Sequence, residues 1–369
     1  MTHENTWHRV YFVIGSAVLA AGLWTVLPAR GRAAPTPSDT FEVNDSHLHL
    51  TNYVQEGTNI HDFLRIMGTK VGRVALFGIP LQQQWSYGDT GDFAPTYYLQ
   101  SDSPLYYYSF TDAFIAKAYQ SLTPAEQARF DPMITGFNPT DMYAADHIRR
   151  VLTTFPGVFS GIGEFTIHKE FVSAKVAGEK ASLTNRALDR LLDFAGEVGL
   201  VALIHNDIDA PFPKPGHEPY QIVQLRELFM RHPKTRIIWA HIGVGRVVHP
   251  VKDQIGMIDR ALSDPALSHV CVDISWIETA KYIVATPETI AATADVINRH
   301  PDRFLFGTDE VAPKDQTGYL AIYRMYEPLF AKLTPSASEQ LRKGNYVRLF
   351  DEARRRVRAW ERANIASSN

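Results

Sequence analysis

The strongest constraint on the fold of this chain is a rhythm: eight short, β-rich apolar runs separated by segments with helical periodicity. The runs are "FEVNDSHL", "RVALFGI", "PMITGF", "VFSGIGEF", "LVALIH", "RIIWAH", "HVCVDIS" and "RFLFGTD". Most are near-continuous rather than alternating, the pattern of strands covered on both faces by helices. The segments between them carry helix punctuation. In "TPAEQARF", Thr123 is placed as N-cap, Pro124 as first helical residue and Glu126 as the return partner of a capping box. "NRALDRLLDFAGEVG" sets Leu188, Leu191, Leu192, Ala195 and Val198 on one face and stops at Gly199. "TPETIAATADVINRHP" repeats the Thr-Pro start, with Ile290, Ala294 and Ile297 on its buried stripe. Strand–helix alternation repeated eight times predicts a closed (β/α)8 TIM barrel over residues 36–369 rather than an open sheet. With 45% hydrophobic residues in a chain of 369, there is apolar material enough for such a core.

Two stretches depart from the rhythm. The connection after the second strand runs over residues 80–130, far beyond an ordinary loop, and holds Trp85, Tyr87, Tyr97, Tyr98, Tyr106, Tyr107 and Tyr108. It reads either as an aromatic lid on the catalytic face or as a packed subdomain or dimer contact, which leaves homo-oligomerisation open. Residues 1–35 are different in kind. "VYFVIGSAVLAAGLWTVL", Val10 to Leu27, carries no charge and ends at Pro28, and "ARGRAAPTPSD" follows as a linker. This predicts a signal peptide or an uncleaved membrane anchor, hence a periplasmic, secreted or membrane-anchored protein.

The formal net charge of −3 gives no electrostatic reason to expect nucleic acid, and only the N-terminal segment offers a membrane contact. A lone cysteine, Cys271, excludes an intrachain disulfide framework and a thiolate metal cage. A small molecule is the partner that remains.

Barrel active sites are assembled at the carboxyl ends of the strands. In "NDSHLHL", His47 and His49 leave the first strand on one face, as residues i and i+2 must. The fourth strand ends at Glu164, the fifth at His205, the sixth at His241 and the eighth at Asp309, whereas the second, third and seventh end with no evident ligand. Imidazoles and carboxylates without thiolate suit Zn²⁺, Mn²⁺ or Fe²⁺, as one ion or a pair. His232 and His300, each in "RHP", read instead as rings at helix C-termini.

The order HxH, Glu, His, His, Asp along the strands resembles the amidohydrolase superfamily of metal-dependent barrels. The closing "GNYVRLFD", Gly344 to Asp351, resembles the tail of its amidohydrolase-related branch (amidohydrolase 2). The resemblance implies that His47 and His49 bind a first metal with Asp309, and that Glu164 stands at the bridging position. It implies His205 as a ligand of a second ion or of a single one, and His241 as that ion's other ligand or a free acid/base. Zn²⁺ is then the favoured ion. A metal-bound hydroxide would cleave a C–N, ester, lactone or phosphoester bond, with Asp309 as proton acceptor and His241 as an oxyanion donor. The same branch implies an alternative, a metal-dependent non-oxidative decarboxylase of an aromatic or muconate-type acid. His168 and Lys169 in "FTIHKE", Arg246 in "HIGVGR", and Trp276 after the seventh strand are the candidate substrate contacts.

Overall fold

A computed structural model describes residues 41–365 except 53–55, 80, 84–90, 94–104, 108–109 and 171–180. The Val10–Leu27 segment lies outside the described residues, and so do Trp85, Tyr87, Tyr97, Tyr98, Tyr108 and the side chains of Tyr106 and Tyr107. All described residues belong to one unit, Pro37–Asn369. Among them, no helix is long and apolar enough to cross a membrane.

The strands of the main sheet are β1 (Val43–His49), β2 (Val71–Phe77), β3 (Phe130–Ile134), β4 (Gly161–His168), β5 (Val201–Asn206), β6 (Arg236–Trp239), β7 (Val270–Asp273), β8 (Phe304–Leu305) and β9 (Glu310–Val311). They pair in parallel from β1 through β8 in sequence order, and β9 lies on the other side of β1. The run expected as one eighth strand, Arg303–Asp309, is thus broken. Its first part, β8, pairs with β7, and the continuation beyond Phe306 pairs with β1 as Leu48↔Glu310 and His49↔Val311. Ser46 N donates to Phe306 O at 3.0 Å and Asp309 N to His47 O at 2.7 Å, so the same stretch joins the two ends of the sheet. The fold is a TIM-barrel-like α/β fold. An antiparallel pair, Leu81–Gln83 with Leu105–Tyr107, lies within the long insertion after β2.

Helices follow the strands, and their limits have local causes. Thr123 and Glu126 form the capping box, although the helix it opens is a single turn, Pro124–Gln127. Asn185 caps Arg186–Val198, which ends on Gly199 in the left-handed conformation. Thr286 and Thr289 cap Pro287–Arg299, where Ala294 and Ile297 are buried and Ile290 is half-buried at the margin. His232 and His300 stand at helix C-termini, where Asp189 and Asp193 hold the first and Asp259 the second.

Apolar residues separate into two cores. The larger lies between strands and helices and includes Leu48, Phe63, Ile162, Leu188 and Ile297. The smaller fills the strand interior with Ala75, Phe77, Met133, Val201, Leu203, Ile238, Cys271 and Leu305. Tyr346, Leu349, Phe350 and Ala353 of the C-terminal helix, Asn345–Ile365, complete it. The "GNYVRLFD" motif therefore works as a plug. Asn345 Nδ2 donates to the carbonyls of Pro301 and Phe304, while the ring of Tyr346 stacks on Phe350 at 4.5 Å. Beside it, the fully buried Asp131 accepts from Nε and Nη2 of Arg73 and from Tyr346 Oη. Buried charge is tolerable only when paired in this way.

Candidate metal centre

The period of two in β1 sets His47 and His49 side by side, with ring centroids 5.5 Å apart, and Phe77 of β2 lies edge-on to both. Glu164 reaches the same place because β4 runs very close to β5. A Cβ on Gly163, at φ +111°, would stand 2.2 Å from the Leu203 carbonyl oxygen, so only glycine fits. His205 comes from β5. His241 and Asp309 follow the ends of β6 and β8 in left-handed conformations, at φ +57° and +53°. A non-glycine residue held there costs on the order of 1–3 kcal/mol, and such residues concentrate at functional sites.

All six residues converge. His47 Nε2 lies 3.3 Å from Asp309 Oδ1 and 3.7 Å from Glu164 Oε1. His49 Nε2 lies 3.2 Å from Asp309 Oδ1 and 3.5 Å from Glu164 Oε2. His241 Nε2 is 3.3 Å from Glu164 Oε1, and His205 Nδ1 approaches that same oxygen at 2.6 Å. Besides a set on the Nδ1 side of two rings, His47, His241 and Asp273, two donor sets result among the described residues, each with its ligand atoms within 4.8 Å of one another: His47, His49, Glu164 and Asp309, and Glu164, His205 and His241. Glu164 belongs to both.

The orientation of the rings tests whether a cation fits. Nδ1 of His47 faces the Asp273 carboxylate at 3.0 Å, Nδ1 of His49 faces the Gly78 carbonyl at 3.1 Å, and Nδ1 of His241 lies 2.9 Å from Ser275 Oγ. Acceptors at Nδ1 place the ring protons of His47 and His49 there and leave each Nε2 with a lone pair. These lone pairs point at the oxygens of Glu164 and Asp309. His47 Nε2 is buried and has no hydrogen-bond partner, despite its 3.3 Å approach to Asp309. Lone pairs gathered from nitrogen and oxygen around one point are what a divalent cation requires. The residues fit the ion.

The electrostatics show how strongly the cluster attracts positive charge, which protons on the rings supply when no cation is bound. Burial opposes a charge on His47, yet Asp309, Asp273 and Glu164 outweigh it and raise its pKa well above the ordinary imidazole value. His49 is raised for the same reason, burial being overcome by Asp309 and Glu164. In His205, Glu164 and Asp207 overcome burial and the repulsion of Lys169. Burial would raise Glu164, but Lys169 and His205 hold its carboxyl well below the usual range. His241 alone of the four moves down, because burial and the neighbouring His205 and His47 prevail over its contact with Glu164.

One expectation needs correction. The seventh strand does end in a functional candidate, Asp273, which is fully buried and accepts from His47 Nδ1, from the His241 amide at 2.8 Å and from Ser275 Oγ at 2.6 Å. Asp207, two residues beyond His205, is a second such acid; its Oδ1 lies 3.2 Å from His205 Nε2. Both acids stand in plain view in "HVCVDIS" and "HNDID". Of the four candidate substrate contacts, three gather beside the cluster. The Trp276 ring lies 5.1 Å from that of His241 and 6.2 Å from that of His205. Lys169 Nζ and Arg246 Cζ stand 5.2 and 5.6 Å from the Trp276 ring centroid. His168, at the end of β4, is half-buried, and burial lowers its pKa against the pull of Asp207.

A parallel α/β barrel with histidines and carboxylates at its strand ends defines the class, a barrel enzyme with a candidate metal centre. The profile of the amidohydrolase family Amidohydro_2 matches residues 45–351, and the chain belongs to that family. Among solved structures it is similar to a Pseudomonas putida protein named as a 2-pyrone-4,6-dicarboxylic acid hydrolase, with 15% identity and a TM-score of 0.50 over 85% of this chain and 98% of that one. It is also similar to the TatD homologue YJJV of Escherichia coli K12, with 13% identity and a TM-score of 0.50 over 84% and 98% of the two chains. At these identities the likeness concerns the fold. No curated protein matches the sequence.

Proposed function

We propose that this amidohydrolase is a metal-dependent hydrolase of a small molecule, acting on a C–N, ester, lactone or phosphoester bond. His47, His49, Glu164, His205, His241 and Asp309 would hold one or two divalent ions, with Zn²⁺ favoured by the donor set. The observation that supports the reading is the shared Glu164, whose Oε2 faces His49 while its Oε1 is approached by His205, His241 and, at 3.7 Å, His47. Such an ion lowers the pKa of a water it binds to about 7 and polarises the scissile group.

The protein's own groups do the rest. Burial would raise the Asp309 carboxyl, but His47 and His49 hold it well below its ordinary value, so it is ionised at neutral pH. It is then placed to take the proton of the attacking water and return it to the leaving group. His241, neutral because its pKa is lowered, either completes the ligand set through Nε2 or, once it has taken up a proton, donates a hydrogen bond to the developing oxyanion. The buried Trp276 beside His205 and His241 keeps bulk water from that side.

Asp309→Asn is expected to lower kcat by about 10²–10⁴-fold while leaving much of the metal bound. Turnover at the level of the parent enzyme, measured with matched metal content, refutes the assignment. Elemental analysis of the purified protein and of Glu164→Gln addresses the centre itself. Two ions falling to one supports the bridged hydrolase. One ion in both, together with CO₂ release from aromatic acids, favours the decarboxylase instead. The uncharged run Val10–Leu27 supports export or anchoring, which cell fractionation tests.

A further inference from the structure

We infer that Ser275 is a positioning residue for the candidate metal centre: its hydroxyl sets the ring proton of His241 on Nδ1 and so delivers Nε2 to the cluster as a lone pair. This rests on the metal-centre reading of the adjacent residues, and it chooses between two roles of His241. The ring serves the resting enzyme as a ligand and donates only after a further proton has reached Nε2.

One hydroxyl has one proton to give and two lone pairs to offer. Ser275 Oγ lies 2.6 Å from Asp273 Oδ1, a carboxylate oxygen that can only accept, so the proton goes there. The lone pairs are left for Nδ1 of His241 at 2.9 Å and Nδ1 of His47 at 3.1 Å. Each of those nitrogens must then be the donor. The other neighbour of His241 Nδ1, the Ser275 carbonyl at 3.3 Å, is an acceptor too. At the far side of the ring, Nε2 faces Glu164 Oε1 at 3.3 Å. His241 thus stands between acceptors at both ends, and the nearer one, the Ser275 hydroxyl, decides where its proton sits.

His47 differs in one respect. Its Nδ1 also faces Asp273 Oδ2 at 3.0 Å, so the carboxylate fixes that ring without help. The two rings lie 4.9 Å apart, and Ser275 touches both. A residue outside both donor sets therefore joins one ring of each. The fold holds it firmly. Ser275 is completely buried in the loop after β7. On either side of it, Ile274 N donates to Leu305 O at 3.0 Å and Trp276 N to Thr308 O at 3.3 Å, while Tyr326 Oη donates to the Ile274 carbonyl. A Cβ on Gly307 would stand 2.7 Å from His47 Cβ and 2.9 Å from Ser275 Cβ, so the loop, β1 and the following arch pack without slack.

Nitrogen-15 spectra of the full-length, metal-free protein labelled at histidine test this, because they show which ring nitrogen carries the proton. They are recorded at mildly alkaline pH, where the His241 ring is neutral, and His241→Asn identifies its signals. The parent is expected to show Nδ1–H on His241. In Ser275→Ala, the His241 signals should shift towards the Nε2–H form that faces Glu164, while His47 keeps Nδ1–H. The same variant should bind Zn²⁺ about 10-fold or more weakly in competition with a chelator, the range set by loss of an outer partner. It leaves Asp273 Oδ1 with the amides of His241 and Ser275, so no buried charge is orphaned and the chain is expected to fold. Nε2–H on His241 in the parent overturns the assignment, and that measurement needs no variant. A Ser275→Ala protein that keeps Nδ1–H on His241, or binds Zn²⁺ as tightly as the parent, overturns it too, even if its melting temperature falls, since the hydroxyl then serves packing alone. A parent that binds no Zn²⁺ rejects the metal-centre reading instead, and the position of the His241 proton is read independently of that result.

Discussion

His47 shows how much one side chain is controlled from a distance. Its Nδ1 faces Asp273, 226 residues away in sequence, and its Nε2 is thereby left to face Glu164 and Asp309. Asp273 touches the centre only through its neighbours: it orients His47, receives the His241 amide and anchors Ser275. Asp273→Asn is expected to weaken metal affinity by about 10–100-fold, as loss of an outer partner does elsewhere. Competition with a chelator measures this, and an unchanged affinity would show that the His47 tautomer does not need the carboxylate. The two classes of residue differ in how visible they are in sequence. His47, His49, Glu164, His205, His241 and Asp309 each close an apolar run, so periodicity exposes them. Asp273 also sits at a strand end, but its partner is a ring on another strand, and no spacing in the chain encodes that pairing. Trp276, Lys169 and Arg246 were legible as loop residues, whereas their meeting around one ring was not.

At the level of elements, apolar runs and caps locate the strands well, because burial on both faces leaves a continuous apolar signature. The eighth is the exception. "RFLFGTD" reads as one strand, yet only Phe304–Leu305 pairs with β7 before the chain arches and resumes pairing with β1. The sequence shows the apolar half of that run and hides the break, since Gly307 and Thr308 are equally at home in a strand end or a turn. Gly163 makes the clearest mutational case. Gly163→Ala drives a Cβ to 2.2 Å from the Leu203 carbonyl and should destabilise the fold by several kcal/mol. Gly157→Ala is the matched control, because Gly157 also has positive φ, at +85°, but nothing lies within 4 Å of its would-be Cβ, so about 1 kcal/mol is expected. Equal shifts in the thermal melts of the two variants would refute the close approach of β4 to β5.

For the whole molecule, Asp112 links stability to pH. It lies in the first turn of the helix Phe110–Gln120, fully enclosed, and accepts from the amides of Thr135 and Gly136 at 2.8 and 2.9 Å. Thr135 Oγ1 in turn donates to the Glu164 carbonyl at 2.7 Å. Burial, only partly offset by the two amides, pushes the Asp112 carboxyl up to about 7. The folded state therefore holds its proton more tightly than the unfolded chain, whose Asp has a pKa of about 4. Stability from this group is complete below that value and is lost as pH rises towards 7. Between pH 5 and 8, Asp112→Asn should lose less stability than the parent protein, by about 2 kcal/mol, in denaturant titrations. Parallel curves for the two proteins would contradict the shift. A last consequence concerns the arch at residues 306–309. The segment that fastens the cylinder's two margins together is also the one that presents Asp309. Any replacement that straightened this seam into regular strand would tighten the closure and withdraw the acid from its partners. Thermostability engineered at that position is therefore expected to come at the expense of turnover, and an evolving enzyme of this kind has little freedom to improve the two together there.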